Sequence, residues 1–249
     1  MLRRRILTSA GAVIAFFVGS GVASGQEVMQ YFTAYGMPDS IFALLLAGII
    51  SMVIVYIIMD DSCKNHISDK ESVLTYYCGK TLGTILSYEL SVFLFMAYVV
   101  MIAGAGSVAV EGFNAPSYIA RLIVTAVCCL TVLLGLEGII EIIGKIGQLL
   151  VLVVVVFCII ALIKSPGDFT QMEELRESLN LTKAASNWFL SGINYACFSL
   201  IGAYPFLAGV GKSNQCKEAK YSGVLGMGGF YLAMFFINCV MFGKLSEDC

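Results

Sequence analysis

A transmembrane helix needs about 20 consecutive, mostly apolar residues. This chain supplies six such runs after its N-terminal segment, at residues 41–59, 81–110, 118–136, 139–163, 188–210 and 221–242, and residues 6–35 supply a seventh. Lipid offers no water to bond backbone donors and acceptors, so spans of this length must be helices that close their own hydrogen bonds. The expected fold class is an all-α polytopic membrane bundle of seven spans, with the lipid bilayer as its surrounding. Composition agrees: 59% of residues are apolar and 13% charged, against about 25% charged in soluble domains.

Lys and Arg are biased to cytoplasmic loops. With the N-terminus inside, Arg3, Arg4, Arg5, Lys64, Lys70, Lys80, Lys145, Lys212, Lys217 and Lys220 fall on the inner side. Only Arg121, Lys164, Arg176, Lys183 and Lys244 fall on the outer side. This predicts a multi-pass protein of the plasma membrane with a cytoplasmic N-terminus. In the outer connection, Thr170 to Glu173 matches the capping box that opens a short helix.

Several function classes drop out. Net charge is −2 and the basic residues are scattered, so no basic face recommends nucleic acid. The nine cysteines show no CxxC spacing, and most sit inside apolar runs, so all are read as structural. Cys63 and Cys78 form the one close pair in a polar stretch, on the side where thiols stay reduced. His66 is the single histidine, and no nucleophile–base pair or metal cluster is visible, so no enzyme, metal or cofactor is expected.

The first span poses a question of its own. Arg3, Arg4 and Arg5, an apolar run and the small residues Gly21 and Ala23 have the layout of a secretory signal peptide. Yet residues 28–35 continue as a largely apolar segment ending in a turn, as the second half of one helix would. Ser24-Gly25-Gln26-Glu27 matches the capping box, with Ser24 bonding the N–H of Glu27 and Glu27 reaching back to Ser24. Gly19, Gly21 and Gly25 supply the backbone freedom for a break. In hydrocarbon, unwound backbone is tolerated only where it lines a cavity or is buried in protein. Gly21 and Gly25 also fit a small-xxx-small packing pattern.

A second break follows in residues 188–210, where Gly202 and Pro205 interrupt the apolar run and Pro205 removes a backbone donor. Five spans make a first unit, residues 1–163. An extracellular connection, 164–187, leads to a second unit, 188–249, which enters the membrane inverted because five is odd. Interrupted helices at matching positions of inverted halves point to a transporter's binding site.

The stretch Val18 to Phe32 resembles the first-helix motif of the YkvI-like membrane proteins, a group within the amino acid, polyamine and organocation transporter superfamily. Gly19-Ser20-Gly21-Val22 is similar to the Gly-Ser-Gly-Ile break of its amino acid permeases, and Phe198 to Pro205 sits where they break their sixth helix. The resemblance implies a LeuT-type inverted-repeat bundle of about ten spans. Seven are present, so the chain is expected to be C-terminally truncated, without the eighth span that carries coupling-ion ligands in such proteins.

A zwitterionic amino acid or related amine is the expected solute. The N-terminus of the half-helix after Ser24 would meet its carboxylate. Carbonyls freed at Gly19, Ser20, Gly21 and Val22, and at Phe198, Ser199, Leu200, Ile201 and Gly202, would receive its ammonium group. Ala23, Ser24 and Gly25 complete the first break, and Phe198 and Tyr204 are candidates for side-chain selectivity. Glu89 lies about 13 Å into its span at 1.5 Å per residue, where it could bind an amine or carry a proton, or be satisfied by Tyr88 or Tyr98. Lys145 resembles the lysine that replaces sodium in several permeases of the superfamily, with snorkelling to the interface as its plain alternative. Coupling to Na+ or H+ stays open, as does the oligomeric state. Glu27 is read as a capping partner, and Glu141 is given no role.

The leading functional expectation is a secondary active permease working by alternating access. Its rivals are a solute-sensing, germinant-receptor-like subunit of the same fold and a non-functional truncated product.

Overall fold

The structure is a computed structural model that describes residues 2–23, 25–67, 69–133, 135–164 and 181–244. Among the described residues every regular element is helical. The interrupted first span is α1 (Leu2–Phe17), α2 (Ser20–Ala23) and α3 (Gln26–Tyr31), followed by a 3-10 turn at Thr33–Tyr35. Then come α4 (Asp39–Asn65), α5 (Lys70–Cys78), α6 (Lys80–Phe113), α7 (Ser117–Val132) and α8 (Gly135–Lys164). After the outer connection the chain continues as α9 (Trp188–Ile201), α10 (Tyr204–Ser213) and α11 (Cys216–Lys244).

Four described helices are long and apolar enough to cross a membrane, α4, α6, α8 and α11, and a fifth span results if α9 and α10, bent by 60°, are counted as one. The other two expected spans fall short of that length for identifiable reasons. α1 is interrupted after 16 residues, and α7 has 16 residues because the chain turns at Leu133, earlier than hydropathy suggested. The capping-box stretch at Thr170 to Glu173 lies outside the described residues.

α1, α4, α9, α10 and α11 interlock around a core that includes Val13, Phe17, Phe32, Met59, Leu207 and Phe230. α6 and α7 lie outside it: 39% of the most apolar stretch of α4 is buried, but only 6% of that of α6. α1 is held to α8 by close backbone approach. A methyl group on Gly147 or Gly11 would strike a carbonyl of the facing helix, and one on Gly144 would strike the Thr8 carbonyl. With little hydrophobic force between helices in lipid, such seams of small residues supply the packing.

A buried polar relay ties the end of the first span to α4 and α11. The Thr33 hydroxyl donates to Asn238 Oδ1 at 2.8 Å, and Asn238 Nδ2 donates to Ser40 Oγ at 3.2 Å. Such groups are costly to leave unpaired in a dry interior.

One local expectation needs correction. Cys63 is not a reduced thiol: it is disulfide-bonded to Cys216, with Cα atoms 5.4 Å apart, while Cys78 is free and exposed. The partners are 153 residues apart in sequence and meet only because the end of α4 packs on the start of α11. The polar stretch after residue 60 is largely helical. α4 extends to Asn65, and α5 then forms with Asp69 as its N-cap.

The Asp69 carboxylate accepts from the Ser72 backbone N–H (2.9 Å) and hydroxyl (2.8 Å), and these bonds, the backbone one first, hold its pKa below the ordinary carboxylate value. A depressed folded pKa stabilises α5 fully above the unfolded value of about 3.9, and the stabilisation is lost as pH falls through the folded one. Asp69→Ala is expected to cost α5 about 1 kcal/mol, a typical N-cap loss. Amide exchange across α5 should rise in the variant at neutral pH and converge with the parent in acid. Equal exchange at neutral pH would rule the cap out as a stabiliser.

Candidate solute site

The two interrupted spans touch on either side of their breaks. Phe16 at the end of α1 stacks on Phe206 of α10 with ring centroids 4.7 Å apart. Beyond the breaks, Tyr31 of α3 packs on Tyr195 (5.1 Å) and Phe198 (6.1 Å) of α9, and Ser191 Oγ donates to the Tyr31 carbonyl at 2.7 Å. The two breaks fall between these contacts in sequence, the first after Phe17 and the second after Ile201.

The first break is real and local. Gly19 N–H turns back to the Phe17 carbonyl at 3.0 Å instead of continuing the helix. Gly25 takes φ 76°, a left-handed conformation that side chains resist, and a methyl group there would strike Met241. Ser24, the expected cap, lies outside the described residues; Gly25 stands at the N-cap position of α3, and among the described residues no side-chain hydrogen bond caps that helix.

Glu27 lies beside the gap. Its carboxylate lies directly against Gly21 and accepts the Tyr195 hydroxyl proton at 3.2 Å. Tyr195 is 1% exposed. A second hydroxyl pair, Tyr231 with Ser51 at 2.9 Å, lies behind it, the two tyrosine rings meeting edge to face. A carboxylate set among tyrosine and phenylalanine rings next to unwound backbone is suited to a cation, since ring faces and the carboxylate both attract positive charge.

At the second break, Gly202 and Ala203 form a turn and Pro205 stands in the first turn of α10, where its missing donor costs nothing. The Tyr204 hydroxyl is buried and has no hydrogen-bond partner among the described residues. Ser199 bonds to the Ala196 carbonyl of its own helix (3.1 Å), Leu200 belongs to the core, and Ile201 is exposed. Val22 is buried in the core at the first break, while Ser20 and Ala23 lie on α2.

α6 flanks both gaps. Phe93 and Leu94 lie against Gly202, and Met101 lies against Gly19. Glu89 is one turn before Phe93, exposed, and makes no hydrogen bond or ion pair among the described residues. Lys145 sits elsewhere. Its neighbour Gly144 packs on Thr8 and Gly11, roughly 12 Å along α1 from Gly19 at 1.5 Å per residue, and its ammonium pairs with Glu141 at 3.2 Å. Sequence reasoning missed Tyr31 and Tyr195. Only the one-turn spacing of Tyr31 from Glu27 could have hinted at the first.

Residues 8–249 match the family described as spore germination protein, Spore_permease. The chain belongs to the spore permease family. It is 29% identical over 216 residues to the uncharacterized protein YyaD of Bacillus subtilis, covering 85% of this chain and 59% of that one. It is 23% identical over 217 residues to the uncharacterized membrane protein YkvI of the same organism, covering 87% and 60%. It thus spans about three-fifths of the length of these relatives. No solved structure matches it. Family and helices together make this chain a multi-pass membrane protein.

Proposed function

We propose that this chain works as a secondary transporter for a small amine-bearing solute, an amino acid or related amine, by alternating access. The observation that carries this reading is the Glu27 carboxylate, held by Tyr195 beside the gap in the first span and walled by Tyr31 and Phe198. The solute's ammonium group binds Glu27 and the carbonyls freed around Gly19. The partnerless Tyr204 hydroxyl offers a hydrogen bond from the second break. Residues 1–163 form one five-helix unit and 188–249 begin its inverted counterpart, as in LeuT-type bundles. The bundle lies in the plasma membrane. Coupling is to Na+ or H+, and Glu89, one turn from the second gap, is positioned to carry a proton.

A second reading is favoured by the family's description: a germinant-receptor-like subunit that binds the same solute without moving it. One experiment separates the two. Protein reconstituted in vesicles is given a panel of labelled amino acids, amines and carboxylates. Accumulation or exchange of an amine-bearing compound supports the transporter, and saturable binding without uptake supports the receptor. Binding only of carboxylates lacking an amine would overturn both.

A further inference from the structure

At the end of the bundle where α1 and α8 begin, a cavity of about 480 Å³ opens between them and the end of α10. Its volume lies in the range of small-ligand sites. Its lining carries three cations, Arg4, Arg5 and Lys145, and one carboxylate, Glu141. The Lys145–Glu141 pair is one turn apart on α8, with side chains 62% and 64% exposed, so it neutralises one cation weakly. Arg4 and Arg5 form no salt bridge among the described residues. They stand in the first turns of α1, where positive charge opposes the helix dipole. Their placement therefore gains nothing from helix electrostatics.

Polar groups on the inner wall are already positioned. Asn214 Nδ2 donates to the Val210 carbonyl (2.8 Å) and to Ser9 Oγ (3.1 Å), which fixes both side chains across the α1–α10 boundary. The Ser9 side chain is nearly buried, 4% exposed, and its own proton has only a 3.4 Å outlet to Asn214 Oδ1. A hydroxyl so placed donates readily to an oxyanion, and two arginines present the forked donors that match phosphate oxygens.

We propose that this cavity binds a phosphate-bearing anion, held by Arg4, Arg5 and Lys145 at its mouth and by Ser9 on its inner wall. The site is separate from the solute gap and does not depend on the reading of that gap. Its ligand chemistry has two sources: the headgroup of an anionic phospholipid, or soluble phosphate.

The test uses the full chain in maltoside micelles and in vesicles of digalactosyl diglyceride, with phosphate-free buffer. One arm titrates inorganic phosphate and follows the unfolding midpoint. The other adds phosphatidylglycerol and counts retained lipid by native mass spectrometry. Saturable binding in either arm is expected, and the arm that responds identifies the source. Arg4→Gln with Arg5→Gln, or Lys145→Gln, should weaken it by about tenfold or more per cation, the worth of one charge-assisted hydrogen bond. Lys145→Arg should retain it, and so should Lys183→Gln, outside this cavity. No saturable binding in either arm, or equal binding by the Gln variants and the parent, would overturn the proposal. The exposed positions of the three cations keep the Gln variants foldable, and the unfolding midpoint without ligand checks it.

Discussion

Gly147→Leu is expected to remove most of the folded protein from a membrane preparation. The methyl group that even alanine would add at this position meets the Gly11 carbonyl oxygen and, at 2.8 Å, its carbon, both backbone atoms that cannot swing away. α1 and α8 would have to separate along their whole crossing. Gly11 and Gly144 are pressed the same way, so the strain has no outlet within the seam. Overpacking typically costs about 1–3 kcal/mol and sometimes more, and a four-carbon side chain against backbone belongs at the upper end. That is a large part of the stability of an ordinary domain. The check is the monodisperse peak in size-exclusion chromatography of detergent extracts together with the unfolding midpoint. By contrast, Gly79→Ala meets no atom within 4 Å and is opposed only by its positive φ of 77°, a local backbone strain, so it should be the milder change. A Gly147→Leu protein with an unaltered midpoint would show that the two helices do not cross here.

The second large effect is on ligand binding. Glu27→Gln keeps the shape of the side chain and removes its charge, so an ammonium group entering the gap would lose its counter-ion. Removing one partner of a buried pair costs about 3–5 kcal/mol, which corresponds to a loss of affinity of roughly a hundred-fold to several thousand-fold. Tyr195→Phe only frees the carboxylate from its 3.2 Å hydrogen bond and should cost about tenfold, the value of one such bond to a charged group. The two variants together separate charge from positioning. Equilibrium binding of labelled amine-bearing solutes is the readout, with the unfolding midpoint as the control for folding. Parent-like affinity in Glu27→Gln would move the ammonium site away from the first break.

What the sequence disclosed follows from the range of the forces involved. Spans announce themselves locally, because each must be apolar over its own length, and the long runs at 41–59 and 221–242 lie within α4 and α11. The first break was visible because its cause, Gly19 to Gly25, is local too. The role of Glu27 was not, because its partner Tyr195 is 168 residues away and only packing of α3 on α9 joins them. The capping box read at Ser24 lies outside the described residues, while Gly25, which turns left-handed, stands at the N-cap position of α3. α5 escaped notice for a different reason: a polar helix of nine residues has no hydropathy signal, and Asp69 with Ser72 was its one local mark. Lys145 was placed near one end of its span with snorkelling as its plain alternative, and its exposed side chain fits that alternative. The cavity it borders was not legible, because it forms only where α1 and α8 cross.

The bond between Cys63 and Cys216 makes a lasso of the chain. Everything from α5 to α10 lies inside its loop, including the second break, while the first break hangs outside on the tail. A protease that nicks the backbone once at any point between residues 63 and 216 would release no fragment: the two pieces would migrate as one mass until a reductant is added, then part at the cut.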